Sequence, residues 1–325
     1  MAINISNITR HSLKVKVLRL VALTKTISLP GFSGLPIFYV IRFFVKSMLD
    51  GDILNKSASM AFSFFLALFP GVIFLFSLIP YIPIDNFQDD LMANIALILP
   101  GPAFEFTQST IEELILTSRF DLLSFGFIAT LLFASNGVNT TIDNFNNSIL
   151  VKKKRSWISQ RITALWMVAL LGSLVIVSMV MLFFGKEVLY FLAQQELLSW
   201  AIAQILTYIN YAVVLAFIYF TVSFFYFFGP NKKSRWKFFS AGSSLATVFI
   251  ILVSGVFNEY INAFGTYNKF YGSLGAIMVI MLWFYFNCVI FLIGFELNTS
   301  LMRVHNDVNK FIHMRNKKVF KEKLD

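Results

Sequence analysis

The chain has 325 residues, of which 57% are hydrophobic and only 14% are charged, and its mean hydropathy is +0.72. A soluble domain of this length would need far more polar surface, so the composition excludes a soluble globular protein and indicates an integral membrane protein. The net charge of +10 also suits nucleic-acid binding, and the positions of the basic residues decide between the two. The single cysteine, Cys288, excludes an intramolecular disulfide.

The first 56 residues are predicted to form a cytoplasmic segment. Residues 1–35 carry five basic residues and no apolar core followed by a small-residue cleavage site, so they do not resemble a cleaved signal peptide. Residues 36–49 are apolar but too short to cross a membrane, and they include Arg42 and Lys46. This pattern predicts an amphipathic helix that lies at the cytoplasmic face of the membrane.

Six later segments are long and apolar enough to cross a bilayer, which takes roughly 20 residues of helix. Backbone polar groups in lipid must be satisfied within the segment, and the segments show no alternating pattern, so helices are predicted rather than a barrel. The predicted spans are 58–79, 121–147, 162–184, 201–228, 238–258 and 272–298.

Lysine and arginine predict the orientation of these spans, because they are enriched in cytoplasmic connections. Along the chain, the segments outside the six spans hold eight, one, five, one, four, one and seven basic residues. The alternation across every span predicts six crossings with both termini in the cytoplasm. The sequence therefore divides into the segment 1–56, a transmembrane domain at 57–300 with an external loop at 84–120, and a basic cytoplasmic tail at 301–325.

The same distribution argues against nucleic acid as a partner. Basic residues grouped on one side of the membrane are what insertion requires, and they suit anionic lipid headgroups at the cytoplasmic face. The three histidines lie in the polar tails, and no pair of ligands has the spacing of a metal site. We expect membrane lipids as partners, no cofactor, no metal and no enzymatic activity; protein partners cannot be deduced.

The 84–120 loop contains one basic and six acidic residues. Apolar residues recur at helical spacing in its first part, from Phe87 to Ile98, and again within 107–118, on either side of Pro100 and Pro102. Two short amphipathic helices that cap the external side of the bundle are predicted. A simple lid is favoured over a binding site.

The second span is the most informative, because its purely apolar part, Leu122 to Ala134, covers only about 20 Å of a hydrocarbon core of roughly 30 Å. The remaining depth falls on a polar stripe with spacings of three and four residues, typical of one helical face. Its members are Asn136, Asn139, Thr140, Asp143 and Asn147.

Polar groups that face lipid cost several kcal/mol in total, so the stripe is predicted to face the bundle interior or a water-filled cavity open to the cytoplasm. Two roles remain open: hydrogen bonds that hold helices together, or a working polar pathway. Glu296 and Asn298 are expected near Asp143, and Asn287 lies mid-membrane in the same sixth span.

Small residues in the last two spans are spaced for close helix packing, a role favoured over a functional one. They are Ser240, Ser244, Gly242, Ala246, Gly272, Gly275 and Ala276. Pro70, inside the first span, removes a backbone hydrogen bond and predicts a kink, read either as a simple bend or as a gate.

Several blocks in this order resemble the YihY/virulence factor BrkB family, over about residues 35–305. They are Ser57–Phe62 with Leu68-Phe69-Pro70, Ala134–Gly137 with Asn146, Lys154–Trp157 with Arg161, Phe264–Lys269 with Tyr271–Ala276, and Trp283 with Gly294–Asn298. One departure is Phe295, where the family usually has a small residue.

The resemblance implies a six-helix protein of the bacterial inner membrane. The family was once labelled ribonuclease BN, a label regarded as mistaken, and some members are tied to serum resistance or to envelope lipid handling. Two function classes follow for this chain. The first is a transporter- or flippase-like protein that moves a lipid-linked or small polar envelope substrate, and the second is a scaffold for envelope machinery without transport or catalysis.

Overall fold

The computed structural model describes residues 27–28, 34–50, 52–81, 92, 119–147, 155–194, 200–231, 237–263 and 273–321. Within these ranges the chain is helical and contains no strand, which confirms the predicted all-α class. The two helices predicted for the 84–120 loop lie outside the described residues, apart from Met92.

Seven helices are present in the described ranges. They are α1 (Ile37–Asp50), α2 (Ile53–Leu78), α3 (Phe120–Asn146), α4 (Trp157–Gln194), α5 (Trp200–Phe228), α6 (Ala241–Ala263) and α7 (Ser273–Lys321). A single 3₁₀ turn, Ile79–Tyr81, extends α2. Helix α1 lies at the predicted amphipathic segment, and α2 to α7 lie at the six predicted spans.

Five helices contain stretches long and apolar enough to cross a membrane: Ile53–Tyr81, Phe120–Asn146, Trp157–Ser178, Tyr208–Phe228 and Ile277–Lys310. The chain is therefore a multi-pass helical membrane protein. In α6 the apolar stretch Ala241–Phe257 has 17 residues, or about 25 Å of helix. The number of crossings and the side on which the termini lie remain predictions.

Helix α7 is much longer than the predicted span 272–298, because it continues without a break to Lys321. Residues 299–321 contain neither proline nor glycine, so nothing in the sequence ends the helix at the membrane boundary. The part of the tail up to Lys321 is thus a helical extension of the last span.

The helices form a closed ring in chain order. Each of α2 to α6 packs against the next helix in the sequence, and α7 packs against α2, which closes the ring. Helix α1 lies outside this ring against α7. Short connections favour such antiparallel neighbours in helical bundles.

Aromatic side chains fill the centre of the ring at the C-terminal end of α3. Phe145 of α3 stacks on Phe295 of α7 with 3.8 Å between ring centroids, and both rings contact Tyr226 of α5. The Tyr226 hydroxyl donates a hydrogen bond to the carbonyl of Phe291 at 2.5 Å. Phe295, which departs from the family pattern, is only 1% exposed and is a central packing residue.

The same end of the bundle is tied together by polar contacts that α3 and the segment before α4 make with the C-terminal end of α5. Arg155 donates hydrogen bonds to the carbonyls of Gly229 and Phe228, and the Asn231 backbone N–H donates to Oδ1 of Asn146. Arginine near a helix C-terminus satisfies carbonyls that have no partner within the helix. Partial burial lowers the pKa of Arg155.

Helices α6 and α7 approach most closely at Gly242 and Gly294. A Cβ atom built on Gly242 would lie 2.1 Å from the carbonyl oxygen of Gly294 and 2.6 Å from the Asn298 side chain. A Cβ on Gly294 would lie 2.5 Å from the Tyr226 hydroxyl. Both glycines therefore permit a contact between backbones that no larger residue allows.

Replacing Gly242 with alanine should destabilise the protein by about 1–3 kcal/mol, because the added methyl group overlaps the backbone of α7. Gly255→Ala is the matched control, since it lies in the same helix and its Cβ would meet nothing within 4 Å. Thermal unfolding in detergent should show a clearly lower melting temperature for Gly242→Ala and an unchanged or slightly higher one for Gly255→Ala. Equal melting temperatures would contradict the close approach.

Candidate functional site

Helix α3 has two opposite faces, and the polar stripe lies on the outer one. Val138, Ile142 and Phe145 are buried in the core cluster, in which α2, α4, α5 and α7 also take part. Asn136 and Asp143 are exposed on the opposite side of the helix. With Phe125 and Leu132, which are also exposed, they form one row at spacings of seven, four and seven residues.

The stripe therefore does not face the bundle interior. That orientation was one of the two predicted from the sequence. The inner face at this level is already occupied by apolar side chains and by the Phe145 ring. Within the stripe, Asn136, Asp143 and Asn147 are exposed, whereas Asn139 and Thr140, at the two edges of the outer face, are half-buried. The predicted role of the stripe in interhelical hydrogen bonds stays open, because four of its residues bond to α2 or α4 from the outer side.

The apolar part of the outer face of α3 is shorter than the hydrocarbon core of a bilayer, which is roughly 30 Å thick. Its exposed large apolar residues run from Phe120 to Phe133, which spans about 20 Å. On the neighbouring helices the exposed apolar residues extend from Leu54 to Leu78 in α2 and from Trp157 to Met181 in α4, or about 36 Å each. Helix α3 thus carries a polar notch, and the exposed apolar residues of both neighbouring helices extend over a longer distance than its own.

Side chains of α4 and α2 bond to the edges of the notch. Gln160 of α4, which is buried, donates from Nε2 to Oδ1 of Asp143 at 2.8 Å and to Oδ1 of Asn139 at 3.0 Å. Asn139 donates to the other oxygen of Asp143 at 3.3 Å. On the opposite edge, the hydroxyls of Thr140 and Ser63 of α2 are 3.3 Å apart.

Arg161 places a guanidinium at the deepest point of the notch. Its Nη1 donates to Oδ1 of Asn136 at 2.7 Å. Asn136 lies ten residues before the end of α3, about 15 Å along the helix, whereas Arg161 lies only four residues into α4. The arginine side chain therefore extends away from the N-terminal end of α4, toward Asn136 in the middle part of α3. Among the described contacts, only this bond engages the guanidinium, which has five donors in total.

Sequence reasoning missed the role of Gln160 and counted Arg161 only as a loop cation. A signal was present, because helices joined by a short connection run antiparallel and residues equidistant from the connection meet. Asp143 and Gln160 lie at similar distances from residues 148–156, so their contact could have been inferred.

The polar residues predicted to join the stripe lie elsewhere in the bundle. Glu296 is buried and accepts a hydrogen bond from the Thr299 hydroxyl of the same helix at 2.8 Å. Asn298 accepts from the Gly242 backbone N–H and donates to the Ser240 hydroxyl, each at 2.8 Å, and so joins α7 to α6. Asn287 donates to the Trp283 carbonyl within α7. The structure does not bring these three residues to the notch.

The predicted packing residues lie in two interfaces. Gly242 and Ala246 contact Gly294 of α7, whereas the Ser244 hydroxyl is 3.4 Å from the Tyr219 hydroxyl of α5. Gly275 is buried, and Gly272 and the side chain of Ala276 lie outside what the structure describes. Pro70 is buried within α2, which continues through it to Leu78.

No group of three or more histidine, cysteine, aspartate or glutamate side chains lies together in the described ranges. The site is instead made of amides, one carboxylate and one guanidinium at the surface of an apolar bundle. These features define the class of the protein as a multi-pass membrane protein with a polar notch on the outer side of its helical ring.

The chain belongs to the family described as "Virulence factor BrkB", whose pattern matches residues 44–318. This match confirms the resemblance noted in the sequence blocks. No solved structure matches the chain.

Among relatives, the chain is similar to the ribonuclease-like protein YfkH of Bacillus subtilis (strain 168), with 32% identity over 247 residues, 76% of this chain and 89% of the relative. It is also similar to a UPF0761 membrane protein of Haemophilus influenzae (strain 86-028NP), with 23% identity over 273 residues, 82% of this chain and 96% of the relative. A UPF0761 membrane protein of Vibrio atlanticus (strain LGP32) is 31% identical over 202 residues, 59% of each chain.

Proposed function

We propose that the protein translocates a phosphate-bearing lipid of the bacterial envelope, with the headgroup moving along the notch on the outer face of α3. The observation that carries this proposal is the exposed row of Asn136 and Asp143 with the Arg161 guanidinium beside it. The protein acts without catalysing a reaction, and the ribonuclease-like name of its Bacillus relative is not taken as a guide to its activity.

The proposal includes six crossings of the bacterial inner membrane with both termini in the cytoplasm. The alternation of basic residues supports it, as does the 23-residue length of α6, about 35 Å, because its C-terminal end continues six residues past the apolar stretch. The C-terminal end of α3 then lies at the cytoplasmic side, and the notch opens toward the inner leaflet.

The notch lowers the barrier to headgroup movement because it shortens the apolar path. A span whose apolar surface is shorter than the bilayer core is accommodated by local thinning. On α3 the difference is about 10 Å, a third of a core of roughly 30 Å. Water and headgroups drawn to Asn136 from the cytoplasmic side leave a correspondingly shorter apolar distance to the external side.

Arg161 gives the notch a preference for anionic headgroups. A guanidinium offers several donors in a planar fork that fits phosphate oxygens, and it stays charged even when it is partly desolvated. Near the bilayer core such a charge costs several kcal/mol unless an anion or water accompanies it. A lipid phosphate bound beside Asn136 satisfies this requirement and explains why the side chain extends inward.

A scaffold without transport activity is the second candidate. The hydrogen bonds from Gln160 to Asn139 and Asp143, and the contact between Thr140 and Ser63, favour it, since they hold α3 to its neighbours. A scaffold needs these contacts but not the exposed side of Asp143 or the inward position of Arg161. The two functions therefore separate in variants that alter only the exposed residues.

Reporter fusions test the topology. A reporter placed after Lys153 or after Lys233 should lie in the cytoplasm, because those connections are rich in basic residues. A reporter placed near Asn94 or Gln194 should lie outside. Enzyme activity of paired alkaline phosphatase and β-galactosidase fusions is the measurement, and a cytoplasmic signal from Asn94 would contradict the six-crossing arrangement.

Reconstituted vesicles test the translocation. The purified protein should move a tail-labelled fluorescent phosphatidylglycerol between leaflets, measured as the fraction that an externally added reductant can bleach, with and without an imposed proton gradient. Replacing Arg161 with glutamine removes the charge and leaves the hydrogen bonds of Gln160 in place; it should reduce the rate at least tenfold, which corresponds to a barrier increase of about 1.4 kcal/mol.

Asn287→Leu is the control variant, because Asn287 is another amide in a membrane helix but bonds only within α7. It should translocate lipid like the wild type. Wild-type vesicles that behave like empty vesicles under both conditions would contradict the proposal and favour the scaffold.

A further inference from the structure

Helix α1 lies against the part of α7 that leaves the bundle. Val40 is 1% exposed and forms a small core with Leu297 and Val304 of α7, and Phe43 and Phe44 pack at its edge. The Arg303 guanidinium lies 5.1 Å from the centroid of the Phe43 ring, within the range of a cation–π contact. One face of α1 is therefore fixed to α7.

A second apolar face of α1 is exposed among the described residues. Ile41, Val45 and Leu49 lie four residues apart on one side of the helix, and Leu49 is 80% exposed. Arg42 and Lys46, both exposed, follow two of them in sequence and lie along the same edge of the helix. An apolar row with cations beside it is the pattern of a helix that binds a membrane surface.

We infer that this second face of α1 docks on the anionic inner leaflet, with Ile41, Val45 and Leu49 in the acyl boundary and Arg42 and Lys46 on lipid phosphates. Two observations select this occupant. The cations match the negative charge of the leaflet, each basic residue adding to the attraction. In addition, α2, the first spanning helix, begins only three residues after α1 ends, so α1 is held at the membrane boundary.

The docked helix does not depend on the notch of α3, and the inference stands whether or not the protein translocates lipid. Because α1 contacts α7 on one side and the leaflet on the other, it anchors the cytoplasmic extension of α7 to the membrane surface. The extension continues from there to Lys321.

Fluorescence quenching of the full-length protein tests this docking. Single cysteines at Val45 or Leu49, in a Cys288→Ser background, carry an environment-sensitive probe in nanodiscs of phosphatidylcholine with or without phosphatidylglycerol. Val308→Cys is the matched control, because Val308 is an exposed apolar residue on the extension of α7. Quenchers are aqueous iodide and a lipid with a nitroxide in its acyl chain.

Probes at Val45 and Leu49 should be quenched by the lipid nitroxide and several-fold less by iodide than the probe at Val308. Arg42→Gln with Lys46→Gln should weaken the protection from iodide more in anionic than in neutral nanodiscs. Iodide quenching of the Leu49 probe equal to that at Val308 would overturn the inference. So would protection from both quenchers, since another part of the protein would then cover this face.

Discussion

The thickness of the hydrocarbon core is the constraint from which the account of this protein follows. A bilayer core of roughly 30 Å must meet apolar surface along every lipid-facing helix, or the bilayer must deform. The exposed apolar residues of α2 and α4 extend over about 36 Å, and those of α3 between them extend over only about 20 Å. The polar remainder carries Asp143 and Asn136 and faces outward. A bilayer around α3 must therefore become thinner, or admit water, beside these polar residues.

The packing of the bundle explains why the polar surface lies at the periphery. The contact between Gly242 and Gly294 joins α6 to α7, and the stacked rings of Phe145 and Phe295 fill the centre of the bundle at the C-terminal end of α3. This centre leaves no room for a headgroup at the level of Phe145. The polar side chains of α3 lie on its outer face, and in the function that we propose a lipid keeps its tails in the membrane while its headgroup follows this face.

The helices could be predicted from sequence because apolar length and the distribution of charge act locally, and all six predicted spans coincide with helices. The direction of the polar stripe could not be predicted, because it depends on which face of α3 meets the other helices. Asn136 and Asp143 were identified as costly residues. The contact of Asp143 with Gln160 could have been inferred from the short connection between α3 and α4, whereas the bond from Arg161 to Asn136 became evident only from their packing. Glu296 and Asn298 were expected near Asp143, but their hydrogen bonds lie within α7 and between α7 and α6.

The central claim is that polar surroundings reach Asn136 on the lipid-facing side of α3. Its most direct measurement is electron paramagnetic resonance of nitroxides at Phe125, Leu132, Asn136 and Asp143 in lipid bilayers, comparing collisions with oxygen and with a water-soluble nickel complex. Oxygen should dominate at Phe125 and Leu132, and the nickel complex at Asn136 and Asp143, while a nitroxide at Leu165 of α4 stays in an apolar environment. A label at Asn136 as inaccessible to nickel as the label at Leu132 would contradict the account.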